Sequence, residues 1–118
     1  MANEPVRVCI VGLGWTGMNH ARGYAAISDL ATIAAVVVRS DEGRRRARDL
    51  GISRVYDDWR AALDDDAIEA IDFCTPNFLH AEQSVAALAA GKHVLCETPA
   101  CQTAAECRAI RWAIAEHA

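Results

Sequence analysis

The stretch Val6 to Gly17, Val-Arg-Val-Cys-Ile-Val-Gly-Leu-Gly-Trp-Thr-Gly, constrains the fold more than any other part of the chain. Val6, Val8, Ile10 and Val11 make a short apolar, largely β-branched run without helical period, as expected of a strand buried on both faces of a parallel sheet. Gly12, Gly14 and Gly17 follow in the spacing G-x-G-x-x-G. The first glycine permits a tight turn, the second lets the backbone approach a pyrophosphate, and the third lets the next helix lie close against the strand. A helix starting at Trp15 turns its unpaired N–H groups and positive dipole end toward the phosphates. Gly12, Gly14, Trp15, Thr16 and Gly17 are therefore candidate cofactor-binding residues. Glycine clusters also mark ordinary turns, so the motif carries weight only because a strand precedes it, a helix follows it and further βα units come after.

Those units can be read in order. The first helix is expected from residue 15 to about 28, with Met18, Ala21, Ala25 and Ile27 toward the sheet, and the second strand over 31–38. Ser40 or Asp41 caps a helix ending near Leu50, where Gly51 supplies the stop. A short strand at 54–56 and a short helix at 58–63 lead to a fourth strand over 67–74. The sequence Thr75-Pro76-Asn77 breaks that strand, and a helix from about 78 to 90 ends at Gly91. A fifth strand covers 93–96. Thr103 and Glu106 form a capping box for the last helix, which runs to about 116. The pattern predicts an α/β fold, a doubly wound parallel sheet of Rossmann type in the order 3-2-1-4-5, forming a single dinucleotide-binding domain over 1–118.

Charge and composition narrow the partners. The net charge of −4 offers no basic field for nucleic acid, and the run Arg44, Arg45, Arg46 and Arg48 reads as a solvated helix face. The start of the sequence lacks a basic segment followed by an apolar one, and no stretch approaches the roughly 18 apolar residues of a membrane span. The expectation is a cytoplasmic protein without membrane contact. Five cysteines, Cys9, Cys74, Cys96, Cys101 and Cys107, show no C-x-x-C spacing. Three fall in expected buried strands, where a cysteine behaves as a small hydrophobe, and no metal site is expected.

The choice of nucleotide rests on the end of the second strand. An acidic residue there binds the ribose 2′-hydroxyl of NAD and repels a 2′-phosphate. This chain has Val38, then Arg39 and Ser40. A guanidinium beside a hydroxyl suits a phosphate, so NADP(H) is favoured over NAD(H). The competing readings are that Arg39 is merely solvated, or that Asp41 turns inward and serves NAD.

Four stretches together resemble the N-terminal half of the glucose-fructose oxidoreductase and inositol dehydrogenase family, Gfo/Idh/MocA. They are Gly12-Leu-Gly-Trp-Thr-Gly17 leading to His20, Ile71-Asp-Phe-Cys-Thr-Pro-Asn77 with His80, Ala90-Gly-Lys-His-Val-Leu-Cys-Glu97, and Pro99 followed by a capped helix. The resemblance implies that Thr75, Pro76, Asn77 and His80 lie beside the cofactor and that Glu97 binds the nicotinamide-side ribose. On the residues alone, Asn77 reads as a helix N-cap and His80 as a surface residue. The family's Glu-Lys-Pro signature is here Glu97-Thr98-Pro99. Threonine cannot replace an ammonium in acid–base work. Catalytic residues thus stay unassigned, with Thr98 at the lysine position and His80 as a weak candidate.

Family members continue into a substrate domain, which this sequence does not include. The expectation is therefore a nucleotide-binding protein not redox-active alone, either a fragment of a full NADP-dependent dehydrogenase or a stand-alone descendant with a non-redox or regulatory role. A small-molecule ligand stays open. Val94 and Leu95 would lie on an open sheet edge, so a homodimer or a partner protein covering that edge is expected.

Overall fold

A computed structural model describes residues 3–117 and places five parallel strands in one sheet in the order β3-β2-β1-β4-β5. The elements are β1 (Val6–Val11), α1 (Trp15–Ala26), β2 (Ala31–Val37), α2 (Asp41–Asp49), β3 (Val55–Tyr56), α3 (Trp59–Leu63), β4 (Ala70–Phe73), α4 (His80–Ala89), β5 (His93–Cys96) and α5 (Ala104–His117). This is the expected doubly wound order. Every strand pair is parallel, with Val11 beside Val37 on one side and Phe73 on the other.

The two-residue period of β1 divides the core into two layers. Cys9 and Val11 join Val37, Ile71 and Phe73 under α3 and α4, whereas Ile10 joins Val36, Val38 and Ala47 under α1 and α2. Side chains of successive residues leave a strand on opposite faces, so one run of apolar residues supplies both layers. No helix among the described residues is long and apolar enough to cross a membrane.

Several boundaries differ from the sequence reading. The fourth strand begins at Ala70 rather than residue 67, because the preceding residues turn on Asp65. Asp65 accepts from the Ala67 N–H at 2.9 Å, and its carbonyl accepts from Ile68 at 3.0 Å. Helix α1 stops at Ala26, and Ala25 and Ile27 stay exposed. Its buried positions are Gly17 and Ala21, with Met18 and Tyr24 packed against the core beside them. Residues 77–79 form a 3-10 turn before α4, and Asn77 makes no side-chain capping bond. The Ser40 cap is as expected, and of the Thr103–Glu106 capping box one arm forms, since the Glu106 carboxylate accepts from the Gln102 N–H at 2.6 Å rather than from that of Thr103. Ser40 Oγ accepts from the Gly43 N–H at 3.0 Å, and Glu106 N–H donates to Thr103 Oγ1 at 3.1 Å. Of the cysteines, only Cys9 is buried, while Cys74 and Cys96 are half-buried. Cys101 and Cys107, which the spacing left unpaired, are joined by a disulfide across the start of α5, their Cα atoms 5.7 Å apart.

The Asp65 turn gives a prediction. Its carboxylate also accepts from the Tyr56 hydroxyl at 2.7 Å and Arg54 at 3.0 Å. The Tyr56 hydrogen bond, with the Ala67 amide next, holds this carboxyl below the usual carboxylate range. A group whose value is lowered on folding contributes stability above its unfolded value and loses it as pH falls through the folded one. Asp65→Asn should therefore cost about 1 kcal/mol at pH 7 and flatten the acid limb of the stability curve, measured by urea melts from pH 7 to 2.

Candidate nucleotide-binding crevice

The carboxyl ends of β1, β2 and β4 open onto a crevice of about 1030 Å³, whose walls include Gly12, Leu13, Arg39, Ser40, Thr75 and Pro76. This is where open α/β sheets take their ligands. Gly12 sits at φ +93°, a conformation that L side chains rarely adopt, and a Cβ there would meet the Cys74 carbonyl at 2.7 Å. A Cβ on Gly17 would collide with the Gly12 backbone carbonyl, so only glycine lets α1 start this close to β1. Gly14, by contrast, has nothing within 4 Å of where its Cβ would lie.

Helix α1 has Gly14 as its N-cap and no side-chain cap. Its first N–H groups thus lack intrahelical partners and face the space above Gly14. Trp15, on the first turn, is 83% exposed. The arrangement can hold an anion against backbone amides, as a pyrophosphate requires.

Charge gathers at the end of the crevice beside β2. Val38 is buried, and the chain leaves β2 into exposed Arg39 and Ser40. Arg44 is tied to Asp41 at 2.7 Å, Arg46 to Glu42 at 2.6 Å and to the Leu13 carbonyl at 2.6 Å, and Arg60 to Glu82 at 3.1 Å. Arg39 has no carboxylate partner among the described residues. The Asp41 carboxylate faces solvent, and its hydrogen bond to Arg44 holds its pKa below the ordinary value. It does not turn into the crevice. Ser40 Oγ spends a lone pair on its cap, which leaves the hydroxyl proton free to donate.

His80 corrects the sequence reading. The ring is fully buried, not on the surface. Nε2 lies 2.8 Å from the Thr75 carbonyl oxygen and Nδ1 2.8 Å from that of Pro99. A neutral ring donates to one of them and an imidazolium to both. Either way, both nitrogens are committed to the backbone, and His80 staples the loop after β4 to the segment after β5. Gln83, which the sequence reading passed over, is also fully buried and lines the crevice, accepting from Thr75 Oγ1 at 2.5 Å while its Nε2 has no partner. Its one signal is its spacing, a turn beyond Leu79 on the same face of the helix. Asn77 is exposed on the 3-10 turn, and Glu97 and Thr98 lie beyond β5, outside the crevice walls.

A second polar group sits beneath the sheet's carboxyl end. Asp72 on β4 is fully buried and accepts from His20 Nδ1 at 2.8 Å and the Tyr24 hydroxyl at 2.9 Å, with Cys74 Sγ at 3.5 Å. Burial first, and then the Asp72 charge, push the Tyr24 hydroxyl and Cys74 thiol up. Burial also raises Cys9 to about 12, which leaves it an inert core thiol.

The model of the oxidoreductase family GFO_IDH_MocA, an NAD-binding Rossmann fold, matches residues 6–118. The chain belongs to this family. It is 33% identical over 115 residues to levoglucosan dehydrogenase of Pseudarthrobacter phenanthrenivorans, covering 91% of this chain and 30% of that protein. Over 100 residues it is 36% identical to D-xylose 1-dehydrogenase (NADP(+)) 2 of Haloferax volcanii, covering 83% of this chain and 31% of the relative. A structure of levoglucosan dehydrogenase with NADH and levoglucosan superposes with a TM-score of 0.87 at 33% identity, covering 96% of this chain and 33% of that one. The chain spans about a third of the length of the relatives it matches, and within the GFO_IDH_MocA architecture it is the NAD-binding Rossmann domain.

The glycines give opposite expectations. Gly17→Ala should destabilise the domain by about 2 kcal/mol, roughly 6–10 °C in Tm, because backbone must move. Gly14→Ala should keep stability within about 1 kcal/mol and still weaken nucleotide binding by about tenfold, because the methyl fills the open space that the helix-start amides face. Thermal melts and isothermal titration with the preferred nucleotide separate the two.

Proposed function

We propose that the chain binds a nicotinamide dinucleotide across this crevice and prefers NADP(H) to NAD(H). The observation that carries the preference is Arg39, the one guanidinium of the crevice lining without a carboxylate partner among the described residues, beside a donor hydroxyl at the end of β2. The 2′-phosphate of NADP(H) takes the planar fork of Arg39 and the proton of Ser40. Buried Val38 stands where an acid would favour the free ribose, and it presents no charge. Membership of a family in which one relative is named for NADP(+) and another is bound to NADH is compatible with either nucleotide, so the residues of this chain decide.

The backbone amides of Trp15, Thr16 and Gly17 hold the pyrophosphate under this reading, with Gly12 and Gly14 giving it room. Thr75, Pro76 and Asn77 border the dinucleotide at the end of β4, and Glu97 meets the nicotinamide-side ribose. His80 acts as a positioning residue, since its nitrogens hold the loops that carry Thr75 and Pro99. A bound nicotinamide supplies hydride chemistry. Thr98 has no group that titrates near neutrality and cannot move the accompanying proton. The proton-handling and substrate-holding groups of a dehydrogenase therefore come from outside residues 3–117. The names of the relatives, dehydrogenases of levoglucosan and D-xylose, support a redox role for the larger architecture.

A second copy of this chain is the proposed cover for the edge of β5. Among the described residues that strand pairs only with β4, and Leu95 is 52% exposed.

The test is calorimetric titration with NADPH and NADH. NADPH should bind more tightly, and Arg39→Ala should weaken NADPH by about 10- to 100-fold while sparing NADH. Equal affinities in the unmodified protein, or an equal loss for both nucleotides, would remove the assignment.

A further inference from the structure

Three side chains from distant parts of the chain meet on the α1 face of the sheet: His20, Asp72 and Cys74, whose donor atoms all lie within 4.8 Å of one another. We infer that they form a binding site for a divalent transition-metal ion of zinc type. Its three donors lie outside the walls of the nucleotide crevice, and the inference does not depend on which nucleotide binds.

The geometry favours a small tetrahedral ion. Cys74 Sγ is 3.4 Å from His20 Nδ1 and 3.5 Å from Asp72 Oδ1. Ligand bonds of about 2.0 Å to nitrogen and oxygen and about 2.3 Å to sulfur place neighbouring tetrahedral donors roughly 3.3–3.6 Å apart. The two sulfur distances already meet that spacing. His20 Nδ1 lies 2.8 Å from the other carboxylate oxygen, Asp72 Oδ2, a hydrogen-bond distance that opens by about half an ångström, with the carboxylate turning to offer one oxygen, when an ion replaces the proton.

Rigid elements hold the donors. Asp72 and Cys74 are two residues apart, so β4 and its extension direct both side chains to one face. His20 comes from the second turn of α1, which packs on that face. An outer set of partners is also present. The Tyr24 hydroxyl donates to Asp72 at 2.9 Å, and Glu97 Oε1 lies 4.0 Å from His20 Nε2. With Nδ1 on the ion, the ring proton sits on Nε2 and faces the Glu97 carboxylate, the order carboxylate, imidazole, metal.

Donor type selects the ion. A thiolate, an imidazole and a carboxylate suit zinc and its neighbours, whereas calcium and magnesium take oxygen. Binding is balanced by protons. The Cys74 thiol loses its proton to solvent, the His20 proton moves from Nδ1 to Nε2, and Asp72 binds as the carboxylate. Three protein ligands leave a fourth position for water. An entry path is left beside β5, whose Leu95 the described residues do not cover on this face. Leu95, in register with Asp72, is exposed, and His20 and Cys74 are only half-buried.

The test uses the reduced 118-residue chain and its Cys101→Ser/Cys107→Ser variant, which removes the two thiols near α5. Added Co²⁺ should give a thiolate-to-cobalt absorption band in the near ultraviolet, saturating at one equivalent in both proteins and abolished by one equivalent of Zn²⁺. Cys74→Ser should remove the band, and His20→Gln should weaken Co²⁺ binding at least tenfold. Circular dichroism checks that these variants fold. Should Cys74→Ser fail to fold, X-ray absorption on the zinc-loaded double-serine protein should show one sulfur neighbour and one imidazole. No band at 100 μM Co²⁺, a band that survives Cys74→Ser, or a zinc shell without sulfur would overturn the site.

Discussion

The close approach of α1 to β1 governs the rest of the molecule. Gly17 lies against the Gly12 carbonyl so tightly that no side chain fits between them, and this contact fixes where the helix begins. Because α1 starts at Trp15, its uncapped amides open directly above Gly14. The same placement sets the second and third turns of α1 over β4, bringing His20 and Tyr24 onto Asp72. One steric constraint thus positions the uncapped amides at the helix start and a buried carboxylate network farther along.

The buried carboxylate shows how polar groups are tolerated in the middle of the sheet. Asp72 stands in register with Ile10 and Leu95 on a face otherwise built from apolar side chains. An ion there is costly unless each lone pair finds a donor. Two donors come from α1 and a weaker one from Cys74. On the opposite face, the layer that packs under α3 and α4 is built from apolar strand residues such as Val37, Ile71 and Phe73. His80 solves a related problem at the loops, where its two nitrogens meet carbonyl oxygens that neither strand nor helix satisfies.

Much of this was legible in the sequence. The β-branched runs of β1 and β2, the glycine spacing and the caps at Ser40 and Thr103 are local signals, and each acts within a few residues. They yielded the sheet order and the crevice. What could not be read depends on contacts between remote segments. His80 looks like a first-turn surface residue, but the 3-10 turn at 77–79 rotates it inward. Tyr24 rather than Ala25 packs toward the sheet, because Asp72, 48 residues away, offers it a partner. The grouping of His20, Asp72 and Cys74 has no spacing motif, since a helix and a strand far apart in sequence assemble it. The start of β4 moved because an aspartate turn competes with strand extension at residue 67.

The central claim is that the glycine loop, the start of α1 and the end of β2 form one continuous nucleotide site. Amide chemical shifts on addition of NADPH test it most directly. The largest changes should fall on Gly14, Trp15, Thr16 and Gly17 together with residues 39–43, while the amides of α5 stay in place. Changes confined to β5 and α5, or none at saturating nucleotide, would contradict it.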